Sequence, residues 1–245
     1  MRLTFNTSTN FVLSVDAFRI LECDANCFGY MKNGKANISG FLNDLLPELA
    51  CYQNNLYKQL LLYNNGNVEA AQIAARSIHN VYIPMTAFHE DGVAKISFRI
   101  SKDKYDEFID IHDNRLSFYD TGFTTYIRTL LVEYASKSYS QREYLYSYRR
   151  VIHVSDAIQR QNICKFYSSD SILSFVPVSI ETTPILGHNY IIGVSRDGTP
   201  ISVGLRSLKK VVATDEKKSI SVEICDSLND YLYDLYREEH EACLD

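Results

Sequence analysis

Tyrosines and arginines are interleaved in residues 138–150. Those predicted to contact a ligand are Arg142, Tyr146, Tyr148, Arg149 and Arg150. Proteins that hold single-stranded nucleic acid stack its bases on aromatic rings and neutralise its phosphates with cations. The pattern therefore predicts a single-stranded nucleic-acid contact. The alternative is an amphipathic interdomain helix that uses its tyrosines for packing.

The distribution of charge is compatible with such a contact although the chain is acidic overall. The 245 residues carry a net charge of −5. Residues 223–245 alone carry −7, so the rest of the chain carries a net charge of +2. Because binding surfaces are local, the overall negative charge does not exclude nucleic acid as a partner.

No catalytic or metal-binding motif is present in the sequence. It contains no HExxH, P-loop or GxSxG motif, and its six cysteines and six histidines lack the spacing of a zinc site. We therefore expect a protein without enzymatic activity, metal or cofactor, with reduced, buried thiols. The absence of a long apolar run or a signal-like N-terminus predicts a cytoplasmic protein with no membrane partner.

The N-terminal region, residues 1–137, contains a strand–helix–helix pattern twice. Apolar and polar residues alternate strictly over residues 94–101, and two amphipathic helices follow. A constant shift along the chain aligns Phe11 with Ile96 and Phe41 with Tyr126, and the other apolar and cap positions agree. The agreement predicts two copies of the pattern in one chain. Because identical residues are few, chance agreement of two amphipathic segments is the alternative.

This unit resembles the ribbon-helix-helix family of bacterial DNA-binding proteins. In that family two copies each supply one strand to an antiparallel ribbon, and outward strand residues read the major groove. The resemblance implies an internal pseudo-dimer with a possible DNA groove face made of Lys95, Ser97 and Arg99. The counterparts of these residues in the first copy, Asn10, Val12 and Ser14, are uncharged. A fold retained only as a scaffold is the alternative.

The region of residues 154–214 is predicted to form several short strands. Alternating apolar residues and the turn at Arg196–Thr199 favour a small, strongly bent sheet. The order of residues resembles the WYL domain, a bacterial ligand- or nucleic-acid-sensing module with an Sm/SH3-like β-barrel. The matching pieces are Phe166-Tyr167, Phe175-Val176-Pro177, Asn189-Tyr190-Ile191, Gly198, Leu205 and Leu208. Asn189 stands where that family has tryptophan.

The family's paired arginines are replaced by Gly204 and Ser207, so a binding pocket must be built from other residues. The nucleic-acid-binding residues that we predict here are Lys165, His188, Tyr190, Arg196, Arg206, Lys209 and Lys210. Arg142, Arg149, Arg150, Tyr146 and Tyr148 of the preceding linker, residues 138–153, complete the predicted surface. For each cation alone, a solvated surface position is the alternative.

Residues 215–245 are predicted to form a strand and then an acidic helix. The helix has one apolar stripe made of Leu228, Tyr231, Leu232 and Leu235. Such a narrow stripe packs either on its own domain or on a second chain. We expect a homodimer with this region as a possible dimerisation element, and we expect the acids to point away from bound nucleic acid.

The predicted fold class is α+β, with a ribbon-helix-helix-like region, a WYL domain and a C-terminal strand and helix. This combination resembles the WYL-containing accessory proteins of type VI-D CRISPR systems. The resemblance implies an accessory protein that binds single-stranded RNA and stimulates an RNA-guided CRISPR ribonuclease effector. One alternative is a ligand-sensing transcription regulator that binds duplex DNA, and another is an oligomeric scaffold that binds only protein.

Overall fold

The computed structural model describes residues 8–83, 92–169, 171–219 and 222–242. The chain divides into two compact units, Met1–Lys137 and Ser138–Asp245. The described elements of the first unit are β1 (Ser8–Ser14), α1 (Val15–Cys27), β2 (Met31–Lys32), β3 (Lys35–Ala36), α2 (Ile38–Tyr63), α3 (Val68–Val81), β4 (Val93–Arg99), α4 (Tyr105–Asp110), α5 (Leu116–Tyr119) and α6 (Phe123–Ala135). A π-helical segment, Ile111–Arg115, connects α4 to α5.

Strands β1 and β4 form a two-stranded antiparallel ribbon within one chain. Phe11 lies opposite Ile96, and these two residues are also equivalent in the two copies. Phe11, Leu13, Ile96 and Phe98 are buried, so one face of the ribbon packs on the helices and the other faces outward.

Equivalent positions of α2 and α6 fill the core of the first unit. Phe41 and Leu42 of α2, like Tyr126 and Ile127 of α6, have at most 1% of their surface exposed. Each such side chain contributes about 1.5–3 kcal/mol through burial. Helices α2 and α6 therefore bury side chains at positions that the repeat pattern aligns.

The described elements of the second unit are α7 (Tyr139–Tyr146), α8 (Tyr148–Arg160), β5 (Asn162–Ser168), β6 (Ile172–Thr182), β7 (Asn189–Val194), β8 (Pro200–Gly204), β9 (Leu208–Lys217) and α9 (Val222–Ala242). Its five strands pair antiparallel in the order β8-β7-β6-β5-β9. In a flat sheet the two edge strands would lie about 19 Å apart. The 3-10 turn Leu205–Ser207 joins them over four Cα steps, which reach about 15 Å at most. The sheet must therefore curl.

Each side of the curled sheet is covered by a helix of the same unit. Val151, Val154 and Ala157 of α8 pack in one cluster with the stacked rings of Phe166 and Phe175, whose centroids lie 4.1 Å apart. The apolar stripe of α9 packs in a second cluster, made of Ile163, Val176, Ile192, Val194, Leu228, Tyr231, Leu232 and Leu235. The stripe that suggested a dimer interface is thus covered by its own sheet.

Two predicted boundaries are wrong. Residues 138–153, predicted as a linker, form α7 and the first turns of α8 and belong to the second unit. The strand predicted after residue 215 is replaced by the end of β9 and by α9, which is already helical at Val222. Residues 220 and 221 lie outside the described residues.

Candidate nucleic-acid interface

The tyrosines predicted to stack on bases are buried in the second unit. Tyr146 and Tyr148 are 9% and 6% exposed, so neither ring can accept a base. The predicted base-stacking role is therefore wrong for both residues. The spacing of these tyrosines reflects their packing inside the second unit, because α7 and α8 lie against the sheet.

Arg150 holds α8 to the sheet and is not placed to bind phosphate. Its Nη1 donates to the carbonyl oxygen of Leu208 at 3.0 Å. Its Nη2 donates to the carbonyl oxygen of Tyr146 at 3.0 Å and to Oγ of Ser147 at 3.1 Å. Hydrogen bonds from a charged donor to backbone stabilise the fold by about 1.5–3 kcal/mol each. The predicted nucleic-acid role of Arg150 is therefore wrong.

The other two linker arginines are half-buried. The guanidinium of Arg142 lies 5.7 Å from the ring centroid of Tyr139, a cation–π geometry. Arg149 is half-buried in the first turn of α8. The three arginines thus have different environments, and they do not form one row that a single nucleic-acid chain could follow.

His188 and Arg206 come together beside Tyr139, and we call these three residues the rim cluster. Nη1 of Arg206 lies 3.5 Å from Nε2 of His188. The His188 ring meets the Tyr139 ring edge-on, with centroids 5.3 Å apart. Burial lowers the pKa of His188, the charge of Arg206 lowers it further, and Glu239 opposes both. His188 is therefore neutral at pH 7, and Arg206 carries the positive charge of the cluster.

A buried contact between Glu143 and Asn189 supports the rim cluster, because Asn189 directly follows His188 in the chain. Glu143 is fully buried, and its Oε2 accepts hydrogen bonds from the backbone nitrogen of Asn189 at 2.6 Å and from Nδ2 at 2.7 Å. Nδ2 of Asn189 also donates to Ser140, and its Oδ1 accepts from Thr182. Burial raises the pKa of Glu143, although the hydrogen bonds from Asn189 oppose this shift. Asn189 is therefore a structural residue.

The acidic helix α9 reaches the same region. Oε1 of Glu239 accepts a hydrogen bond from Oγ1 of Thr183 at 2.7 Å, and Oε2 accepts one from the backbone nitrogen of Leu186 at 3.4 Å. Burial, and then the charge of Glu239, raise the pKa of Tyr190, which is half-buried. The expectation that all acids of this helix point away from the predicted surface is wrong for Glu239.

A second basic group lies on the outward side of strands β5 and β9. Lys165 and Tyr167 are two residues apart on β5 and point to the same side, while the intervening Phe166 is buried. Lys210 lies opposite Tyr167 on β9, with its Nζ 5.9 Å from the ring centroid. We call Lys165, Tyr167 and Lys210 the β5–β9 face. Lys209 is exposed beside it.

Arg196 does not join either group. It is exposed and forms an ion pair with Glu216. It lies in the turn after β7, whereas Arg206 follows β8, so the two arginines are at opposite ends of one hairpin. A strand of six residues spans about 20 Å. The predicted single pocket that contains both Arg196 and Arg206 is therefore wrong.

The possible DNA groove face lies on the outward side of the ribbon. Lys95, Ser97 and Arg99 are all exposed on β4. Oγ of Ser97 lies 3.1 Å from Oγ of Ser8 on β1. The positive charges of this face, Lys95 and Arg99, both lie on β4, and β1 contributes none.

The described ranges offer no metal site. Within them, no group of three or more His, Cys, Asp or Glu side chains is placed to hold a metal ion. Burial raises the pKa of the Cys164 thiol to about 11, which keeps it protonated. The expectation of buried thiols is wrong for Cys23 and Cys27, which are exposed. No helix in these ranges combines the length and apolar composition needed to span a membrane.

The sequence-based prediction did not include Tyr167 of the β5–β9 face, nor Glu143 and Glu239, which lie near the rim cluster. Tyr167 follows Lys165 at the two-residue spacing of one strand face, which is a signal available in the sequence. Its pairing with Lys210 depends on the register of two strands that are distant in the chain, and no local pattern contains that information.

Comparison with known proteins finds similarity in structure and none in the family and curated-sequence searches. No family model matches the sequence, and it matches none of the curated proteins. A solved structure titled "Crystal structure of a CRISPR Cas-related protein" is similar, with a TM-score of 0.64 and 16% sequence identity. The similarity covers 89% of this chain and 65% of that chain, so this chain spans 65% of that protein's length. The two proteins share a mixed helix-and-strand fold.

Proposed function

We propose that this chain is a single-stranded RNA-binding accessory protein of a CRISPR system, where it stimulates an RNA-guided ribonuclease effector and has no catalytic activity of its own. The shared fold with a CRISPR Cas-related protein supports the association. The WYL-like order of residues in the second unit and the ribbon-helix-helix-like order in the first support the assignment to this class. The five curled strands are compatible with an Sm/SH3-like barrel.

The β5–β9 face is the observation that carries the proposal. Single-stranded nucleic acid needs an accessible ring for base stacking and cations at the spacing of phosphates. Tyr167 is half-buried, with Lys165 beside it on the strand and Lys210 opposite, and we infer that its ring stacks on a base. Arg206 of the rim cluster adds a further exposed charge in the same unit.

A double variant, Lys165→Gln/Lys210→Gln, tests this surface. Loss of two phosphate contacts lowers the magnitude of the slope of log affinity against log salt by about 1.4 on a single strand. Tyr167→Leu removes a stacking ring and weakens binding by about 1–3 kcal/mol. The control Arg196→Gln/Lys217→Gln removes the same charge from the opposite end of the sheet and leaves affinity nearly unchanged. Equal losses in both double variants would contradict the proposal.

Effector stimulation is measured separately, as RNA cleavage by an RNA-guided ribonuclease with and without the accessory chain. The parent protein and the Arg196→Gln/Lys217→Gln control increase the cleavage rate. Lys165→Gln/Lys210→Gln loses this increase together with RNA affinity. A variant that loses RNA affinity but keeps full stimulation would separate the two activities and contradict the proposed link.

The ribbon supports a second candidate function, a transcription regulator that binds duplex DNA. Lys95 and Arg99 are exposed on the same side of β4, as a groove-reading strand requires. The opposing Asn10, Val12 and Ser14 supply no charge, and this favours the RNA proposal. Lys95→Gln/Arg99→Gln should leave single-strand binding intact. Tight duplex binding that this variant abolishes would favour the regulator instead. A chain that binds neither nucleic acid would favour a protein scaffold.

A further inference from the structure

A cavity of about 500 Å³ lies beside the ribbon of the first unit and is bordered by α6. This volume is within the range of about 300–1,000 Å³ that small-molecule sites occupy. The polar or outward residues that line it are Asn10, Val12, Lys95, Ser97, Thr124 and Arg128. They come from three elements, so the cavity is formed by the tertiary fold.

The lining has the chemistry of an anion site with an apolar wall. Lys95 and Arg128 bring two basic side chains to the cavity, and none of the described residues that line it is acidic. Asn10, Ser97 and Thr124 bring an amide and two hydroxyls that can donate hydrogen bonds. Apolar side chains form the rest of the wall. Such a lining is compatible with a ligand that carries both a negatively charged group and an apolar group.

The two copies of the strand–helix–helix pattern differ at this point. In the first copy, Ser39 and Asn43 of α2 form hydrogen bonds with the backbone at the end of β4. Oγ of Ser39 accepts from the backbone nitrogen of Arg99 at 3.2 Å, and Oδ1 of Asn43 accepts from the backbone nitrogen of Ser101 at 2.9 Å. The equivalent positions of the second copy are Thr124 and Arg128, which line the cavity.

The side chain at the second of these positions therefore changes from a short amide in the first copy to a long cation in the second. A scaffold that only needed to close its core could use the same short residue twice. We propose that the cavity binds an organic phosphate monoester of mononucleotide size. Lys95 and Arg128 contact the phosphate, and the apolar wall around Val12 contacts the organic group. A phosphate monoester carries a charge of about −1.5 to −2 at pH 7, so basic side chains from two elements favour its binding.

Titration of the full chain with adenosine 5′-monophosphate, adenosine and inorganic phosphate tests the proposal. Isothermal calorimetry should show saturable binding of the nucleotide and at least tenfold weaker binding of each fragment. Lys95→Met should weaken nucleotide binding at least tenfold. Arg99→Met removes an exposed cation of the same strand that does not line the cavity, and it should leave the affinity within twofold.

A second variant tests the position of the ligand independently of charge. Val12→Phe fills part of the cavity from a half-buried position and should abolish nucleotide binding while the melting temperature stays near that of the parent. Absence of saturable nucleotide binding to the parent at millimolar concentration overturns the proposal. Equal losses in Lys95→Met and Arg99→Met, or unchanged binding to a folded Val12→Phe protein, overturn it as well. RNA binding by the second unit is unaffected by any of these outcomes.

Discussion

Oε2 of Glu143 accepts two hydrogen bonds from Asn189, one from its backbone nitrogen at 2.6 Å and one from its side-chain amide at 2.7 Å. This contact joins α7 to the beginning of β7. It places a buried carboxylate directly beneath the rim cluster, because His188 precedes Asn189 in the chain. Asn189 therefore fixes the helix to the sheet.

Removal of the Glu143 carboxylate should destabilise the second unit. Glu143→Ala removes the acceptor of the Asn189 backbone N–H and of one N–H of its side-chain amide, whose other N–H still reaches Ser140, at a cost of about 2–4 kcal/mol. Glu143→Gln keeps an acceptor oxygen and should cost about half as much. Urea unfolding followed by circular dichroism measures both values. If Glu143→Ala has the same free energy of unfolding as the parent, the contact does not stabilise the second unit.

Acidification should destabilise the first unit through His79, which is 1% exposed. Burial lowers the pKa of His79 from 6.5 to about 4, so the unfolded chain takes up a proton that the folded chain does not. Stability is therefore lost as the pH falls from about 6.5 to 4, by roughly 2–3 kcal/mol at pH 4.5.

The comparison of His79→Phe with the parent isolates this contribution. Burial raises the pKa of the nearby Glu133, which acts in the opposite direction and is present in both proteins. Hydrogen exchange in peptides of α2 and α6 reports the unfolding free energy of the first unit alone. The variant should lose less stability than the parent between pH 7 and pH 4.5. Identical pH dependence in the two proteins would contradict the assignment.

Gly193 should tolerate no side chain. A Cβ at this position of β7 would lie 2.1 Å from the carbonyl oxygen of Val176 and 2.6 Å from Cδ2 of Phe175. Gly193→Ala should therefore cost about 2 kcal/mol or more, toward the upper end of the range for overpacking. At Gly204 the nearest atom to a Cβ is 3.7 Å away, so Gly204→Ala is the matched control and should change stability little. Equal melting temperatures for the two variants would contradict the close packing of β6 against Gly193 of β7.

Truncation of the α9 stripe should affect folding and leave the association state unchanged. Leu228 is 4% exposed and packs with Ile163, Val176 and Ile192 of its own sheet. Leu228→Ala should cost about 2–5 kcal/mol. Light scattering should give the same mass for the variant as for the parent at temperatures where both are folded. A lower mass without loss of stability would restore this helix as a dimer interface.

The sequence predicts those parts of the fold that depend on the local periodicity of apolar and polar residues. Strict alternation around Ile96 and Phe98 predicts β4, and the constant shift between the two copies reveals the equivalent strand β1. Tyr146 and Tyr148 are misassigned from sequence because stacking residues and packing residues produce the same spacing, and only the tertiary partner distinguishes them. The separation of Arg196 from Arg206 depends likewise on strand lengths that composition does not specify.

The residues after Ser219 show the same limit at an element boundary. Val222 and Ile224 are β-branched and favour a strand on local propensity. They are helical in the structure, since α9 starts at Val222 and continues to Ala242. The packing of the Leu228 stripe on the sheet outweighs the weak strand preference of its first turn. Local propensity is a small term beside the burial of several large side chains.

Salt-dependent binding of the unmodified chain to single-stranded RNA tests the central claim most directly. Fluorescence anisotropy with labelled single-stranded RNA and with duplex DNA of the same sequence, from low to moderate salt, gives both affinity and slope. Contacts from Lys165, Lys210 and Arg206 predict tighter binding to RNA, with log affinity falling against log salt at a slope of about −2. No binding of single-stranded RNA at the lowest salt concentration, or tighter binding of duplex DNA with a steeper slope, would contradict the account.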